Sequence, residues 1–453
     1  MKNTTDLHHL RATLPNGGQI VVIDPGATLN AESLAMLQAL HSRSTEGVDG
    51  HLKVLADRGP EKFMSTYYVQ YGHKSIGDCG SAVVFIEGIS MLAAKAIQDS
   101  RLYNGQESST RYIDFATQPF HNPLGTEAGT QIQESWRHFY LEAVKVMKEV
   151  LPDRFPRQAD EKETSYSKAI AARSFDICRG FLPAGASTNV AWSTTLRQFA
   201  DRIQELRHHP LKEVRDIAHA LEDSLIEAYP NSFNTQKKRY EQTETYLAEA
   251  AKEYYYHDPV SPETALVHDA VNKTQLESYR ELINTRPIKT ELPKWLAAYG
   301  TASFAFTLDF GSFRDIQRHR AVVQRMPLLT SGLGFNEWYL EELTDELRDQ
   351  AIALLAEQAD AVDSLTDEPT LRQYYLPMGY NISNYLTGDL PALAYLVELR
   401  ASSLVHPTLA RRATEMAAIL TEHYGSLGLN LHLDPDPGRF NVKRGEADII
   451  RRD

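Results

Sequence analysis

Cysteine is scarce in this chain of 453 residues, which contains only Cys79 and Cys178. The two occur in unlike sequence contexts, and together they supply neither a zinc-ligand spacing nor a framework of disulfides. We therefore expect neither a metal centre nor a fold that depends on disulfide bonds.

Long apolar runs are also missing. The opening residues, MKNTTDLHHLRATLPNGGQ, are polar and have no hydrophobic segment behind the first charge, which argues against a secretory signal. The most apolar stretch, SAVVFIEGISMLAAKAI, is interrupted by Glu87 and Lys95 and is too short to span a bilayer. With so little cysteine, these absences predict a cytoplasmic protein that has no membrane partner.

Positive charge is the third deficit. Lys and Arg number 47 against 60 Asp and Glu, which gives a formal net charge of -13 and a pI near 5.7. Nucleic acids and anionic membranes are bound through basic surfaces, so neither is an expected partner. A small anionic ligand in a local basic pocket remains compatible with this composition.

One short segment, IQRHRAVVQR, runs against this trend because Arg318, His319 and Arg320 are consecutive. We expect them on one helix, where neighbouring side chains point about 100° apart. Arg314 lies one turn before Arg318, a repulsive pair unless Asp315 or a bound anion offsets it. Two explanations stay open: cations that complement a helix C-terminus, and guanidinium groups that hold an anion such as a phosphate.

The chain also repeats itself. The segment EGISMLAAKAIQDSR, which ends at Arg101, aligns with DFGSFRDIQRHR, which ends at Arg320. In this alignment Lys95 corresponds to Arg314. Internal similarity of this kind indicates a duplicated structural unit.

The similarity recurs downstream. RGFLPAGAS…RIQELR and RQYYLPMGY…YLVELR both place Glu-Leu-Arg after Leu-Pro, at 23 and 22 residues, and end at Arg207 and Arg400. A long amphipathic helix is predicted after each of them. We infer two copies of one unit, at 1–250 and 251–453.

Strand patterns are short and helical patterns dominate. QIVVIDP is rich in β-branched residues and predicts a strand, while GSAVVFIEG and ASFAFTLDF predict strands that lead into helices. The remainder is mainly helical, so the fold class expected is α+β.

Two further segments carry polar groups. Glu107, Ser109 and Arg111 alternate, so an extended or turning segment presents all three to one ligand, and a phosphate would suit them. A plain surface turn is the alternative. His73 and Ser75 occur in YGHKSIGDCG, a glycine-punctuated loop before a strand, where a structural role for the histidine is the alternative.

Taken together, these motifs resemble the flavin-dependent thymidylate synthases of the ThyX type. The shared pattern is Gly-His-x-Ser, a strand, Arg-His-Arg, then Ser-x-Arg-Tyr, Leu-Pro and a final Leu-Arg helix. The chain is similar to a tandem fusion of two such units over nearly its whole length. The resemblance implies that each unit is a twisted, mainly antiparallel sheet packed with long helices.

Each copy matches the family only in part. The first copy has Asp99 and Ser100 where the first Arg and the His are expected, but it carries His73, Ser75, Glu107, Ser109, Arg111, Tyr112, Arg179, Arg197 and Arg207. The second copy carries Arg318, His319, Arg320 and Arg400. At the positions of Glu107, Ser109, Arg111 and Arg179 it has Met326, Leu328, Thr330 and Gln373.

The missing parts of one copy are present in the other. Active sites of the family straddle the subunits of a homotetramer, so the resemblance implies one composite site per chain and a homodimer that forms a pseudo-tetramer of repeats. The reciprocal site, which would face a phosphate with Leu328, is expected to be inactive. The implied substrate-binding residues are Glu107, Ser109, Arg111, Arg179, Arg318 and Arg400. The implied cofactor-binding residues are His73, Ser75, Arg197, Arg318, His319 and Arg320. Arg400 and Ser109 are the implied catalytic residues.

The implied reaction is the reductive methylation of dUMP to dTMP, with FAD as cofactor and with NADPH and methylenetetrahydrofolate as co-substrates. This route needs no protein thiol, which agrees with the contexts of Cys79 and Cys178. A flavoenzyme that acts on another pyrimidine nucleotide or one-carbon donor is one alternative. A nucleotide-binding protein that has lost catalysis is the other.

Overall fold

The computed structural model describes residues 9–23, 29–42, 47–70, 72–233, 243–257 and 260–434. Its strands are β1 His9–Thr13, β2 Gln19–Ile23, β3 Ser81–Ser90, β4 Asn104–Glu107, β5 Ser187–Thr195, β6 Tyr254–Tyr256, β7 Ala265–Asp269, β8 Thr301–Asp309, β9 Val323–Gln324, β10 Met326–Pro327 and β11 Asn381–Asp389. Its helices are α1 Ala31–His41, α2 Gly47–Arg58, α3 Glu61–Phe63, α4 Lys74–Gly77, α5 Met91–Gln98, α6 Glu127–Arg154, α7 Glu163–Cys178, α8 Leu196–Leu206, α9 Lys212–Ala228, α10 Thr243–Glu253, α11 Lys273–Leu276, α12 Arg280–Asn284, α13 Phe310–Ile316, α14 Glu337–Glu341, α15 Asp345–Leu365, α16 Pro369–Arg372, α17 Leu390–Arg400 and α18 Pro407–Tyr424.

The described residues fall into two compact units. The first lies within Met1–Ile113, Gln118–Pro123 and Ala186–Tyr254. The second lies within Asp114–Thr117, Leu124–Gly185 and Tyr255–Asp453. Helices α6 and α7 therefore belong to the second unit, where α6 packs against α15. The boundary predicted at residue 250 is the join between the two sequence repeats, not the division between these compact units. It stays a prediction.

The first unit is built on a five-stranded sheet in the order β1-β2-β3-β5-β4, and every neighbouring pair is antiparallel. One face is buried because apolar residues alternate along the strands, as with Val84 and Ile86 on β3. Each of the two central strands runs directly into a helix, β3 into α5 and β5 into α8.

The second unit repeats this arrangement on a four-stranded antiparallel sheet in the order β7-β8-β11-β9. Strand β8 leads into α13 and β11 leads into α17, and the long helix α18 follows. The order β2-β3-β5-β4 in the first unit thus corresponds to β7-β8-β11-β9 in the second. The α+β class and the antiparallel sheets predicted for both units are confirmed.

The strand-to-helix junctions show why these segments change direction where they do. Ser90 ends β3 and caps α5, since its Oγ accepts a hydrogen bond of 3.0 Å from the N–H of Ala93. Asp309 ends β8 and caps α13 in the same manner, since its Oδ2 accepts from the N–H of Ser312 at 2.8 Å. Ser and Asp are among the preferred N-cap residues. At equivalent positions in the two copies, the helix therefore begins with the same kind of side-chain N-cap hydrogen bond.

Candidate functional site

The Arg-His-Arg segment does not lie on a helix, so that part of the sequence prediction was wrong. Helix α13 ends at Ile316, and the three residues follow in a turn. The physical reason is long-range: Arg400 Nη2 donates a 2.8 Å hydrogen bond to the carbonyl of Asp315, the group that the N–H of His319 would bond in a continued helix. The His319 N–H bonds instead to Ile316 O at 3.0 Å, which is a tighter turn.

His319 is locked by Arg400 and is held neutral. Arg400 Nε donates to His319 Nε2 at 2.7 Å, and the histidine is buried. Because a guanidinium only donates, Nε2 is the accepting nitrogen and Nδ1 carries the proton. Burial lowers the pKa of His319 to about 3, and the charge of Arg400 adds to this effect. His319 is therefore a neutral hydrogen-bonding group, whereas Arg400 supplies the positive charge.

Asp315 is the carboxylate at the centre of this cluster. Its side chain is 26% exposed and lies 3.2 Å from Arg318 Nη2, so the pair with Arg318 relieves the repulsion expected between Arg318 and Arg314. Burial acts to raise the pKa of the Asp315 carboxyl, but Arg318 and the further arginines outweigh it and hold the pKa below its usual value. Those further arginines are Arg179, Arg400 and Arg314.

Guanidinium groups thus converge from three separate parts of the chain. Arg318 follows α13, Arg400 ends α17, and Arg179 follows α7. A helix dipole accounts for a cation after α13 but not for arginines brought from two other helices. Cations in excess over carboxylate, with Arg318 half exposed, suit a small anionic ligand. Arg320 is exposed in the same turn.

In the first unit, the structure brings His73, Ser75 and Arg197 into one region. His73 and Ser75 are exposed at the start of α4. Asp78 ends that short helix, and its Oδ2 lies 2.8 Å from Arg197 Nη1 on α8. The predicted cofactor residues of this copy therefore lie in one region of the first unit, and their cofactor role stays a prediction.

Glu107, Ser109 and Arg111 follow one another at the end of β4, as an extended strand that passes into a turn. Ser109 is exposed and its Oγ accepts from the N–H of Arg111 at 3.4 Å. The carboxylate of Glu107 is buried and lies 2.7 Å from Lys95 Nζ, with Gln98 Nε2 at 3.0 Å. Glu107 is thus held by its own unit, and its predicted contact with substrate stays a prediction.

The corresponding segment of the second copy, 326–330, buries apolar side chains where the first copy exposes Ser109. Met326 and Leu329 are buried. Gln373, which stands where the first copy has Arg179, is fully buried and accepts the Leu329 N–H through Oε1 at 2.9 Å. The Leu329 N–H is therefore used internally, and the absence of a phosphate site in this half of the duplication stays a prediction.

Sequence reasoning missed several of the groups that support the site. Ser312, Thr408 and His406 form a buried cluster beside Arg179 and were not singled out. The only available signal was the position of Ser312 three residues after the cap Asp309. Burial raises the pKa of Cys178 despite the adjacent Arg179, so this thiol is not an activated nucleophile.

Neither a cluster of potential metal ligands nor a membrane-spanning helix is found among the described residues. Among them there is no group of three or more His, Cys, Asp or Glu side chains placed to hold a metal ion. A search of the same residues finds no helix that is both long and apolar enough to cross a membrane.

The fold and the cluster define an α+β protein of two similar units with a cationic site in the second. Residues 27–231, somewhat less than half of the chain, match the family described as thymidylate synthase complementing protein. The predicted resemblance is confirmed there. Proteins of this family are known for dependence on a flavin.

Longer relatives share more of the chain. A protein of Chlamydia muridarum is 25% identical over 403 residues, which cover 77% of this chain and 76% of the relative. A protein of Thermoplasma acidophilum is 23% identical over 502 aligned positions, covering 94% and 98%. Both are named UPF0159 protein, a name that states no activity. Coverage this wide shows that the similarity continues beyond the part matched by the family.

Proposed function

We propose that this chain is an FAD-dependent thymidylate synthase that converts dUMP to dTMP, with methylenetetrahydrofolate as carbon donor and NADPH as reductant. The observation that carries the proposal is the convergence of Arg179, Arg318 and Arg400 on one carboxylate, Asp315, in a chain whose residues 27–231 match the thymidylate synthase complementing protein family. The cluster is an anion site within an otherwise acidic protein.

Arg400 is the residue that we assign to the pyrimidine ring. Its Nε and Nη2 are fixed by His319 and by the Asp315 carbonyl, so the guanidinium is oriented before substrate binds. A preorganised donor of this kind stabilises negative charge that develops on a uracil carbonyl in the transition state. Neutral His319 holds Arg400 without adding a second charge.

We assign phosphate binding to residues of the first copy. Ser109 is exposed with its hydroxyl beside the N–H of Arg111, and a hydroxyl, a guanidinium and backbone N–H groups together suit a phosphate. Binding energy gained at the phosphate helps to hold the pyrimidine ring in place. In this proposal the composite site uses both copies, and a homodimer supplies the four-unit arrangement.

The residues present fit a flavin. Arg318 and Arg320 are exposed cations beside a neutral imidazole, which suits the negative charge of a dinucleotide. His73, Ser75 and Arg197 would hold it from the first copy. When bound, FAD supplies the hydride that completes reduction of the one-carbon unit.

The test is a direct assay of purified protein with dUMP, methylenetetrahydrofolate, FAD and NADPH, followed by chromatography for dTMP. We expect dTMP to form and nucleotide titration to saturate near one dUMP per chain. A flavin-bound protein that forms no dTMP would favour a changed substrate, and failure to bind either FAD or dUMP would favour a pseudoenzyme. Two equivalent dUMP sites per chain would contradict the composite site.

A further inference from the structure

A buried hydroxyl accepts a hydrogen bond from the guanidinium of Arg179. The arginine follows α7 and is only 9% exposed, and its Nη2 donates to Ser312 Oγ at 3.1 Å. Its Nε has no hydrogen-bond partner among the described residues. The guanidinium is therefore held at Nη2 by Ser312 and lies against Tyr339, while its buried Nε is one of the rare buried donors that the fold leaves unsatisfied.

The hydroxyl of Ser312 belongs to a buried network of hydrogen bonds that ends at the carboxylate of Asp309. Thr408 Oγ1 lies 2.6 Å from Asp309 Oδ1 and 2.7 Å from Ser312 Oγ. A carboxylate only accepts, so Thr408 donates its proton to Asp309. The Ser312 hydroxyl then donates either to Thr408 Oγ1 or to His406 Nδ1, which lies 3.3 Å away, and in both cases its Oγ accepts from Arg179.

The hydrogen-bond network is rigid at its Asp309 end because all of its members are buried. The second oxygen of Asp309 accepts from Tyr339 OH at 2.8 Å and from the Ser312 N–H at 2.8 Å. His406 borders the cluster, with Nδ1 2.9 Å from Thr408 Oγ1 and Nε2 3.1 Å from the carbonyl of Asp176. Buried polar networks in which each group is satisfied fix one geometry.

The first copy shows that the fold does not need this hydroxyl. The residue equivalent to Ser312 is Ala93, which bonds its helix cap through its backbone N–H alone. There the link to the following long helix runs from Ser90 Oγ to Glu213 Oε2 at 2.6 Å, with hydroxyl and carboxylate exchanged relative to Asp309 and Thr408. Both copies therefore tie the strand end to that helix, but only the second presents a hydroxyl to an arginine.

We propose that Ser312, Thr408 and Asp309 form a positioning relay that fixes the guanidinium of Arg179 for the anionic nucleotide. The relay orients the hydroxyl that accepts from Arg179, so Arg179 meets the nucleotide already aligned. The nucleotide part of this inference rests on the proposed function, whereas the orientation of Arg179 does not.

The test compares Ser312→Ala and Thr408→Val with Thr408→Ser, which keeps the donating hydroxyl. Ser312→Ala places at this position the residue that the first copy already uses, so folding should be retained. Without any nucleotide, phenylglyoxal modification of Arg179, followed by peptide mass spectrometry, should be several-fold faster in Ser312→Ala and Thr408→Val than in the parent. Other arginines should be modified at unchanged rates, and Thr408→Ser should behave as the parent does.

With dUMP, calorimetry should show binding weaker by about tenfold in the first two variants, because a charge-assisted contact loses its alignment. The KM for dUMP should rise more than kcat falls, and affinity for FAD should stay unchanged. The relay is refuted if Arg179 reactivity does not change, or if Thr408→Ser is as impaired as Thr408→Val. If the parent protein does not bind dUMP, the proposed function fails, and the phenylglyoxal result still decides the relay.

Discussion

Replacing His319 by glutamine should remove a specific part of the pH dependence of stability. The histidine is buried and accepts a hydrogen bond from Arg400, and its pKa falls from 6.5 to about 3, first through burial and then through Arg400. Its folded-state pKa lies below the unfolded value, so the unfolded chain binds the extra proton more readily. Stability from neutral His319 is therefore fully present above about pH 6.5 and is lost as the pH falls toward about pH 3.

The size follows from linkage between protonation and folding. With the two pKa values of His319, the free energy of unfolding should fall by about 2 kcal/mol between about pH 8 and about pH 5 from this group alone. Glutamine does not titrate, and its side-chain oxygen can accept from Arg400. The variant should lose less stability over this range than the parent, by roughly that amount.

The assay is urea unfolding of parent and variant at both pH values, followed by circular dichroism. Other titrating groups are common to the two proteins, so the difference between the two pH-dependent losses isolates residue 319. Equal losses in parent and variant would refute the argument that His319 is buried and neutral against Arg400. A larger loss in the variant would refute it as well.

Two further predictions separate the copies and test a buried ion pair. Arg400→Ala should lower kcat for dTMP formation by about a hundredfold, whereas Arg207→Ala, whose arginine lies 3.3 Å from Glu222, should leave turnover nearly unchanged in the same assay. Comparable losses in both variants would show that both halves of the duplication work. Lys95→Met should destabilise the protein by about 3 kcal/mol in urea unfolding, because it leaves the buried Glu107 carboxylate without its cation. A further Glu107→Gln change should restore part of that loss, and strictly additive effects would contradict the pairing.

The repeated motifs of the sequence predicted a duplicated unit, and the family resemblance implied the sheet architecture of each copy. Alternating β-branched residues predicted β2, strand-like apolar runs predicted β3 and β8, and amphipathic patterns predicted α9 and α18. Such signals are reliable because strand and helix periods are properties of neighbouring residues. The order of strands in the two sheets then confirmed that the units share one topology.

The sequence by itself also supplied the candidate site residues, since arginine, histidine and serine stand at the positions of the family's motifs whatever their surroundings. Only the tertiary structure decided their environment. Arg400 lies 85 residues from Asp315, yet its bond to the Asp315 carbonyl accompanies the end of α13 and turns a predicted helix into a turn. Arg179 lies 133 residues from Ser312, and no periodic pattern links the two. Contacts at such separation arise when packed helices bring distant side chains together, which is a property of the folded chain and not of any local segment.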